Sequence, residues 1–319
     1  MWNALFPGQG SQRVGMGRHL FDNFDVAKRS FEEASDTLKI DFKKLCFEGP
    51  ESDLQLTQNT QPALLLVSVA TFETVKSINS DIKFEYSAGH SVGEYAACVT
   101  TGCLKFADAL RAVRHRGEFM QQAVPVGKGG MVAVMGLTPQ QVEQMCNWAE
   151  KESGLSPLEP ANFNAPGQIV CSGSQKLISW LKINLKKEIF DPAPAKLRLI
   201  PLKVSAPFHC SLMKPAEANM KTVLNDIPFE SAQTPIVQNF TASAETEGET
   251  IRKNLIHQIS GPVRWIESVE LMSASPEAKA IEFGAGTLLK GLVAKIAGDK
   301  MPVLSTQSLE DLKTLEKEL

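Results

Sequence analysis

Ser91 stands in the run GHSVG, residues 89–93, with a glycine two places before it and another two places after. G-x-S-x-G arises by chance in roughly one chain in ten of this length, so the spacing alone decides little. A serine is a weak nucleophile until a base takes its proton, usually a histidine. Five are available: His19, His90, His115, His209 and His257. His90 adjoins Ser91 and on a tight bend points elsewhere, as a structural residue. His19 and His115 fall in helical stretches and read as surface or hydrogen-bonded core histidines. His209 lies in KVSAPFHCSLM, directly after a predicted strand end, on a loop with Pro207. Loops of that kind commonly hold catalytic side chains. A Ser91–His209 pair would form and break an acyl-enzyme.

The elements around Ser91 decide whether the motif has meaning. FEYSAG reads as a strand ending at Gly89 and the chain from Val92 onward as a helix, so Ser91 falls on a strand–turn–helix elbow. The glycines then have a reason: at such a bend the two backbones approach too closely for a Cβ. Ser91 projects from the bend with a helix N-terminus beneath it, which favours developing negative charge. Near the start, Trp2–Phe6 reads as a short strand followed by the glycine turn PGQGSQ. No third glycine completes G-x-G-x-x-G and there is no G-K-[ST], so dinucleotide and P-loop readings fail. A turn exposing backbone N–H groups, as an oxyanion hole needs, stays open. EFGAGTLLKGL reads as a plain strand-to-helix turn.

From Gly129 the texture changes. GMVAVMGL is a predicted strand, and TPQQVEQMCNWAEKE a helix capped by Thr138. LEPANFNA and GQIVCSG are two strands around a turn, SQKLISWLKINLKKEI a second helix and AKLRLIPLKV a last strand. The order β-α-β-β-α-β is that of a ferredoxin-like module. QTPIVQNF and KAIEFGAGTLLKGLVAKI then return the chain to its core. The expected fold is α/β: a hydrolase-like core with a parallel sheet over residues 1–128 and 204–319, and a ferredoxin-like subdomain inserted at 129–203.

Bulk properties exclude several classes. A net charge of −3 over 319 residues gives no global basis for binding nucleic acid. The start MWNALFPGQG lacks the basic and apolar segments of a signal peptide. The most apolar run, PALLLVSVATF from Pro62, is too short to span a bilayer and reads as a buried helix. Six cysteines with no C-x-x-C and no clustered histidines predict no zinc site and reduced thiols in the cytoplasm.

Six motifs together carry a resemblance. FPGQGSQ, GHSVGEYAA, RGEFMQQAVP, NAPGQIVCSG, SAPFH and PVRW occur in the order and spacing of the malonyl-CoA:acyl carrier protein transacylases. The acyltransferase domains of fatty acid synthases and polyketide synthases (PKS) belong to the same family. The resemblance runs from Phe6 to about residue 305; only the tail SLEDLKTLEKEL carries nothing diagnostic. It implies that Ser91 takes malonyl from coenzyme A and that His209 is its base. The backbone carbonyl of Gln258 would orient the imidazole, since the family pair has no triad aspartate. Backbone N–H groups of Gln9 and Val92 would form the oxyanion hole, and Arg116 would bind the malonyl carboxylate. Asn162 and Phe208 would contact substrate, Phe208 together with Val92 favouring malonyl over methylmalonyl. The implied partner is an acyl carrier protein bringing its own phosphopantetheine, with malonyl-CoA as substrate, no bound cofactor, no metal, no nucleic acid and no membrane; a monomer is expected. Loading of polyketide carrier proteins is the alternative role within the family, and a serine esterase the alternative outside it.

Three details sit beside the resemblance. On a helical wheel with Phe106, Leu110, Val113 and Met120 as the apolar stripe, Arg114 is placed nearer that stripe than Arg116. The family's G-P-G turn is GAG here, and Cys210 follows the histidine where relatives often have Ser or Thr; it reads as a small buried residue or as an accidental thiol beside the site, open to thiol-directed reagents. Residues 176–203 carry Lys176, Lys182, Lys186, Lys187, Lys196, Arg198 and Lys203 against Glu188 and Asp191, a basic stretch suited to an acidic carrier protein or to a solvated helix face.

Overall fold

The computed structural model describes residues 1–202 and 204–319. Ten strands form among them: β1 (Trp2–Phe6), β2 (Phe84–Gly89), β3 (Gly129–Met135), β4 (Leu158–Ala165), β5 (Gln168–Ser174), β6 (Arg198–Pro201), β7 (Ile236–Val237), β8 (Ala244–Glu245), β9 (Lys279–Glu282) and β10 (Val303–Leu304). The main sheet runs β10-β9-β1-β2-β7-β8, parallel except for the β7–β8 pair. Its central strand, WNALF, is buried at every position, as a strand covered on both faces must be. Side chains alternate across it: Ala4 and Phe6 join the larger apolar cluster with Ile281, while Leu5 joins Ala88, Val237 and Ala280 on the other face. Because β1, β2, β7 and β9 are parallel, the loops after them meet at one edge. That edge, outside the carboxyl ends of the strands, is where open α/β sheets hold ligands.

The second sheet, β4-β5-β3-β6, is wholly antiparallel. Val132, Val134, Ile169 and Cys171 pack on Val142, Met145, Ile178 and Leu181 of the helices Pro139–Ser153 and Gln175–Asn184. Its other face, through Met131, Ala133 and Val170, joins the main cluster. Backbone bonds between Phe163 N–H and the Val263 carbonyl (2.9 Å), and between Val263 N–H and the Ala161 carbonyl (2.8 Å), tie β4 to the main body.

Several elements fall where the patterning put them. Thr138 caps its helix in a reciprocal box with Gln141. The apolar run from Pro62 lies in the helix Thr57–Ile78, buried almost all round. Among the described residues no helix is long and apolar enough to cross a membrane. Other elements are shorter than their patterns. The second helix of the small sheet stops at Asn184, whose side chain donates back to the Trp180 carbonyl (2.8 Å) while Leu185 turns extended. The last strand of the module keeps only Arg198–Pro201, so His209 lies well past it, ahead of a short turn at Ser211–Met213. Lys203, the last basic residue of the 176–203 stretch, lies outside the described residues.

Candidate active site

Ser91 occupies a sharp elbow between β2 and the helix Gly93–Thr100. A Cβ on Gly89 would land on the Gly93 backbone, and one on Gly93 on the Phe6 carbonyl, so both positions must be bare. The His90 N–H donates to the Phe6 carbonyl (2.9 Å), which ties the elbow to β1. Ser91 itself has φ 54°, left-handed backbone that serine takes at a cost. Two groups hold it there: Asn239 Oδ1 accepts its N–H (2.6 Å), and Gln258 Nε2 donates to its carbonyl (3.0 Å). His209 is likewise left-handed, with φ 60°.

The hydroxyl of Ser91 lies 2.7 Å from His209 Nε2, and His209 Nδ1 lies 2.8 Å from the Gln258 carbonyl. A carbonyl can only accept, so Nδ1 carries the proton and the Nε2 lone pair faces Ser91. Burial, reinforced by the positive charge of Arg116, pushes the His209 pKa down to about 3, which leaves the imidazole neutral and able to act as a base. Arg116 reaches the same hydroxyl: its Nη2 donates to Ser91 Oγ (3.1 Å) and Gln258 Oε1 (3.0 Å), and its Nη1 to Gln61 Oε1 (2.9 Å).

The helical-wheel placement of Arg114 is corrected here. Arg116 is 1% exposed, whereas Arg114 turns outward to Glu118 (2.8 Å), the Gln58 carbonyl and Asn59. The buried face of the helix Phe106–Gln122 includes Ala109, Ala112 and Gly117, which a count of large apolar residues omits. At about 100° per residue Ala109 and Ala112 lie on either side of Arg116 and widen the inward arc to include it, while Gly117 lies within the stripe of large residues. Gly117 permits the approach, since a Cβ there would lie 2.6 Å from Gln58 Cα.

The remaining candidates are placed as follows. The Gly8–Gln9 turn presses on the elbow, where a Gly8 Cβ would meet the His90 carbonyl. Neither the Gln9 nor the Val92 backbone N–H donates to a group among the described residues. Phe208 is buried in the main cluster beside His209. Asn162, also buried, lies on β4 where it bridges to Val263. Cys210 is fully buried, its thiol donating to the Pro207 carbonyl (3.2 Å), and burial pushes its pKa up to about 11, as the small-buried-residue reading expects and a thiol open to reagents does not. His90 points away from Ser91 to Asn164 Oδ1 (2.8 Å) and against Trp265. His19 meets the Thr306 carbonyl, while His115 and His257 face Glu118 and Glu217. Among the described residues no group of three or more metal-ligating side chains converges.

An acyl transferase domain model matches residues 4–302. The chain belongs to the acyltransferase family. It is 43% identical over 312 residues to the malonyl CoA-acyl carrier protein transacylase of Bacillus subtilis (strain 168), covering 98% of this chain and 94% of that protein. An acyl carrier protein S-malonyltransferase from Vibrio cholerae superposes with a TM-score of 0.91 at 37% identity, covering 98% and 99% of the two chains. A malonyl-transacylase solved in complex with its type II PKS acyl-carrier protein matches with a TM-score of 0.92 at 36% identity, covering 100% and 99%.

Sequence reasoning missed the polar layer beneath the elbow of this acyltransferase. Glu94, fully buried, accepts from Gln238 Nε2, the Asn239 N–H and Gln258 Nε2, each at 2.9 Å. Burial pushes its pKa up to about 7, against those three donors and the charge of Arg116. Asn239 also donates from Nδ2 to the Gly89 carbonyl (2.7 Å). A signal for Glu94 was present: one carboxylate in the otherwise apolar helix GEYAACV. Asn239 follows a two-residue strand and had none.

Proposed function

We propose that this acyltransferase moves malonyl from malonyl-CoA to the phosphopantetheine thiol of an acyl carrier protein, by a ping-pong route through malonyl-Ser91. His209 Nε2 takes the Ser91 proton as Oγ attacks the thioester carbonyl. The tetrahedral oxyanion is met by the Gln9 and Val92 N–H groups. Collapse breaks the C–S bond, and coenzyme A leaves with the proton held by His209. The carrier thiol then gives its proton to the same nitrogen and attacks the malonyl ester; the second collapse returns that proton to Ser91. Arg116 binds the distal carboxylate, Phe208 fills the space beside the α-carbon to disfavour methylmalonyl, and Asn162 lines the cleft. These steps use only side chains and backbone groups of the chain, with no resident cofactor or metal.

The observation that carries this reading is the Arg116 guanidinium at 3.1 Å from the hydroxyl that His209 activates. An esterase for neutral acyl groups has no use for a guanidinium beside its nucleophile with no carboxylate paired directly to it among the described residues, since such a fork is suited to meet an anion. The same reading takes residues 1–128 and 204–319 as catalytic core and 129–203 as inserted subdomain, and the protein as a cytoplasmic monomer serving fatty acid synthesis. The test is to incubate the protein with malonyl-CoA, locate the adduct by peptide mass spectrometry, and chase with holo carrier proteins of fatty acid and polyketide type. A malonyl ester on Ser91 that transfers to carrier thiol is expected. Absence of the adduct, or its hydrolysis without transfer, overturns the reading, and the preferred carrier assigns the pathway.

A further inference from the structure

We propose that Glu94 is a positioning residue for acyl transfer, a buried carboxylate that acts through Gln258 and Asn239 to fix Ser91 and to balance Arg116 without occupying it. The inference rests on Ser91 and His209 acting as nucleophile and base, not on the malonyl substrate. Gln258 has Arg116 on one side and Glu94 on the other. An arginine can only donate and a carboxylate can only accept, so the amide has one stable orientation: Oε1 to Arg116, Nε2 to Glu94. In that orientation Nε2 also reaches the Ser91 carbonyl, and the backbone of the same residue accepts from His209. Glu94 fixes Asn239 from the other side through its N–H, and Asn239 Oδ1 holds the Ser91 N–H. Left-handed backbone at a serine persists only where its surroundings over-determine it, and both clamps on Ser91 converge on this one carboxylate.

The arrangement also explains why Arg116 can be buried yet available. No carboxylate within the described residues pairs directly with its guanidinium, and its Nε has no partner among them. A direct partner would compete with an acidic acyl group for the same fork. Glu94 supplies the opposite charge one amide away, and the two groups attract.

Protonation of Glu94 removes an acceptor from this chain, so Ser91 reactivity should fall with it. The groups facing Glu94 are Arg116 from the helix Phe106–Gln122, Tyr95 and Cys98 from its own helix, and the neutral amides of Gln238, Asn239 and Gln258. Tyr95, with its pKa raised by burial, and Cys98, with its pKa raised by a hydrogen bond with Cys103 and then by burial, stay neutral, so Arg116 is the charge that matters. His209 is held neutral far below that range.

The experiment is labelling of Ser91 by a fluorophosphonate, which reports nucleophile and base whatever the acyl donor, in wild type and Glu94→Gln from pH 8 to pH 5. Wild type should lose reactivity as the pH falls, with a midpoint near 7. Glu94→Gln should be slower at pH 8 on the order of 10²-fold, the cost of displacing a reacting group by about an ångström, and should lack the acid limb. Acylation by malonyl-CoA and by acetyl-CoA should fall by the same factor. Labelling at the wild-type rate, or an unchanged acid limb in the variant, overturns the proposal; so does a loss confined to malonyl. Should Glu94→Gln not fold, Gln238→Met removes one donor from the carboxylate and should move the wild-type limb to higher pH, while an unmoved limb assigns it to another group. In wild type, fluorophosphonate labelling of Ser91 without malonyl transfer would sink the substrate reading and leave this one standing.

Discussion

Arg116 decides what the serine and histidine are for. A desolvated carboxylate is costly unless paired, and a guanidinium meets it with two parallel N–H···O bonds where a lysine offers a point charge. Truncating one partner of such a buried pair commonly costs about 2–5 kcal/mol. Arg116→Ala should therefore slow acylation by malonyl-CoA roughly 30- to 4,000-fold, at 1.4 kcal/mol per tenfold. Acylation by acetyl-CoA should fall far less, through loss of the bonds to Ser91 Oγ and Gln258 Oε1 without that of a carboxylate partner. Arg116→Lys should recover part of the malonyl rate. Mass spectrometry of Ser91 after both thioesters is the measurement, and equal losses would make the arginine a support for Gln258 instead of a carboxylate ligand. Its legibility was uneven. The motif RGEFMQ picked Arg116, while a reading of the helical wheel favoured Arg114, because Ala109 and Ala112 are too small to register as an apolar face. Glu94 and Asn239 act by pairing across the fold, at 145 residues' separation, which no local pattern encodes.

The elbow was readable because its glycines answer a steric need, and the helix that carries Arg116 because of its apolar stripe; the need for glycine at position 117 shows only in the fold. Alanine at a mid-helix glycine ordinarily stabilises by about 1 kcal/mol. At Gly117 the added methyl meets Gln58 backbone at 2.6 Å, so Gly117→Ala should instead destabilise by about 1–3 kcal/mol, as overpacking does. It should also push Arg116 off Gln61 and raise KM for malonyl-CoA; chemical denaturation and steady-state kinetics read the two effects, and a more stable variant would mean that the helices part freely. The elbow stores strain of the opposite kind. Ser91→Gly and Ser91→Ala both remove the nucleophile, but only glycine takes φ near +54° without penalty. The glycine variant should be the more stable of the two by about 1 kcal/mol, with unfolding midpoints as the readout. Equal midpoints would show that Asn239 and Gln258 hold no strained backbone. What patterning could not supply at this scale were ends: β7 has two residues and β6 four, set by neighbours and not by propensity.

At the scale of the whole molecule the sequence showed an α/β protein with a core sheet and a second set of strands, since apolar periodicity and the β-α-β-β-α-β order survive without tertiary information. It did not show which surface meets a carrier protein, because exposed charge is shaped by function and by solubility alike. The basic stretch now has a location. Lys182, Lys186 and Lys187 line a cleft of about 580 Å³ with Glu188, Leu185, Leu197 and Leu199, and Lys176, Lys196 and Arg198 are exposed. An acidic partner approaching a chain of net charge −3 must be drawn by such a local patch. Exposed pairs contribute about 0.2–1 kcal/mol each and are screened within roughly 8 Å at physiological salt, so the effect should be modest and salt-dependent. Reversing both Lys182 and Lys186 to Glu should raise KM for holo carrier protein about 3- to 10-fold at low ionic strength. The difference should shrink as salt is added. The KM for malonyl-CoA and the rate of Ser91 acylation should stay at wild-type values, because neither lysine lies in the helix, loop or elbow that builds the site. A carrier-protein KM unchanged at low salt would leave the patch as a solvated face and send the search to the surface around the Gly8–Gln9 turn.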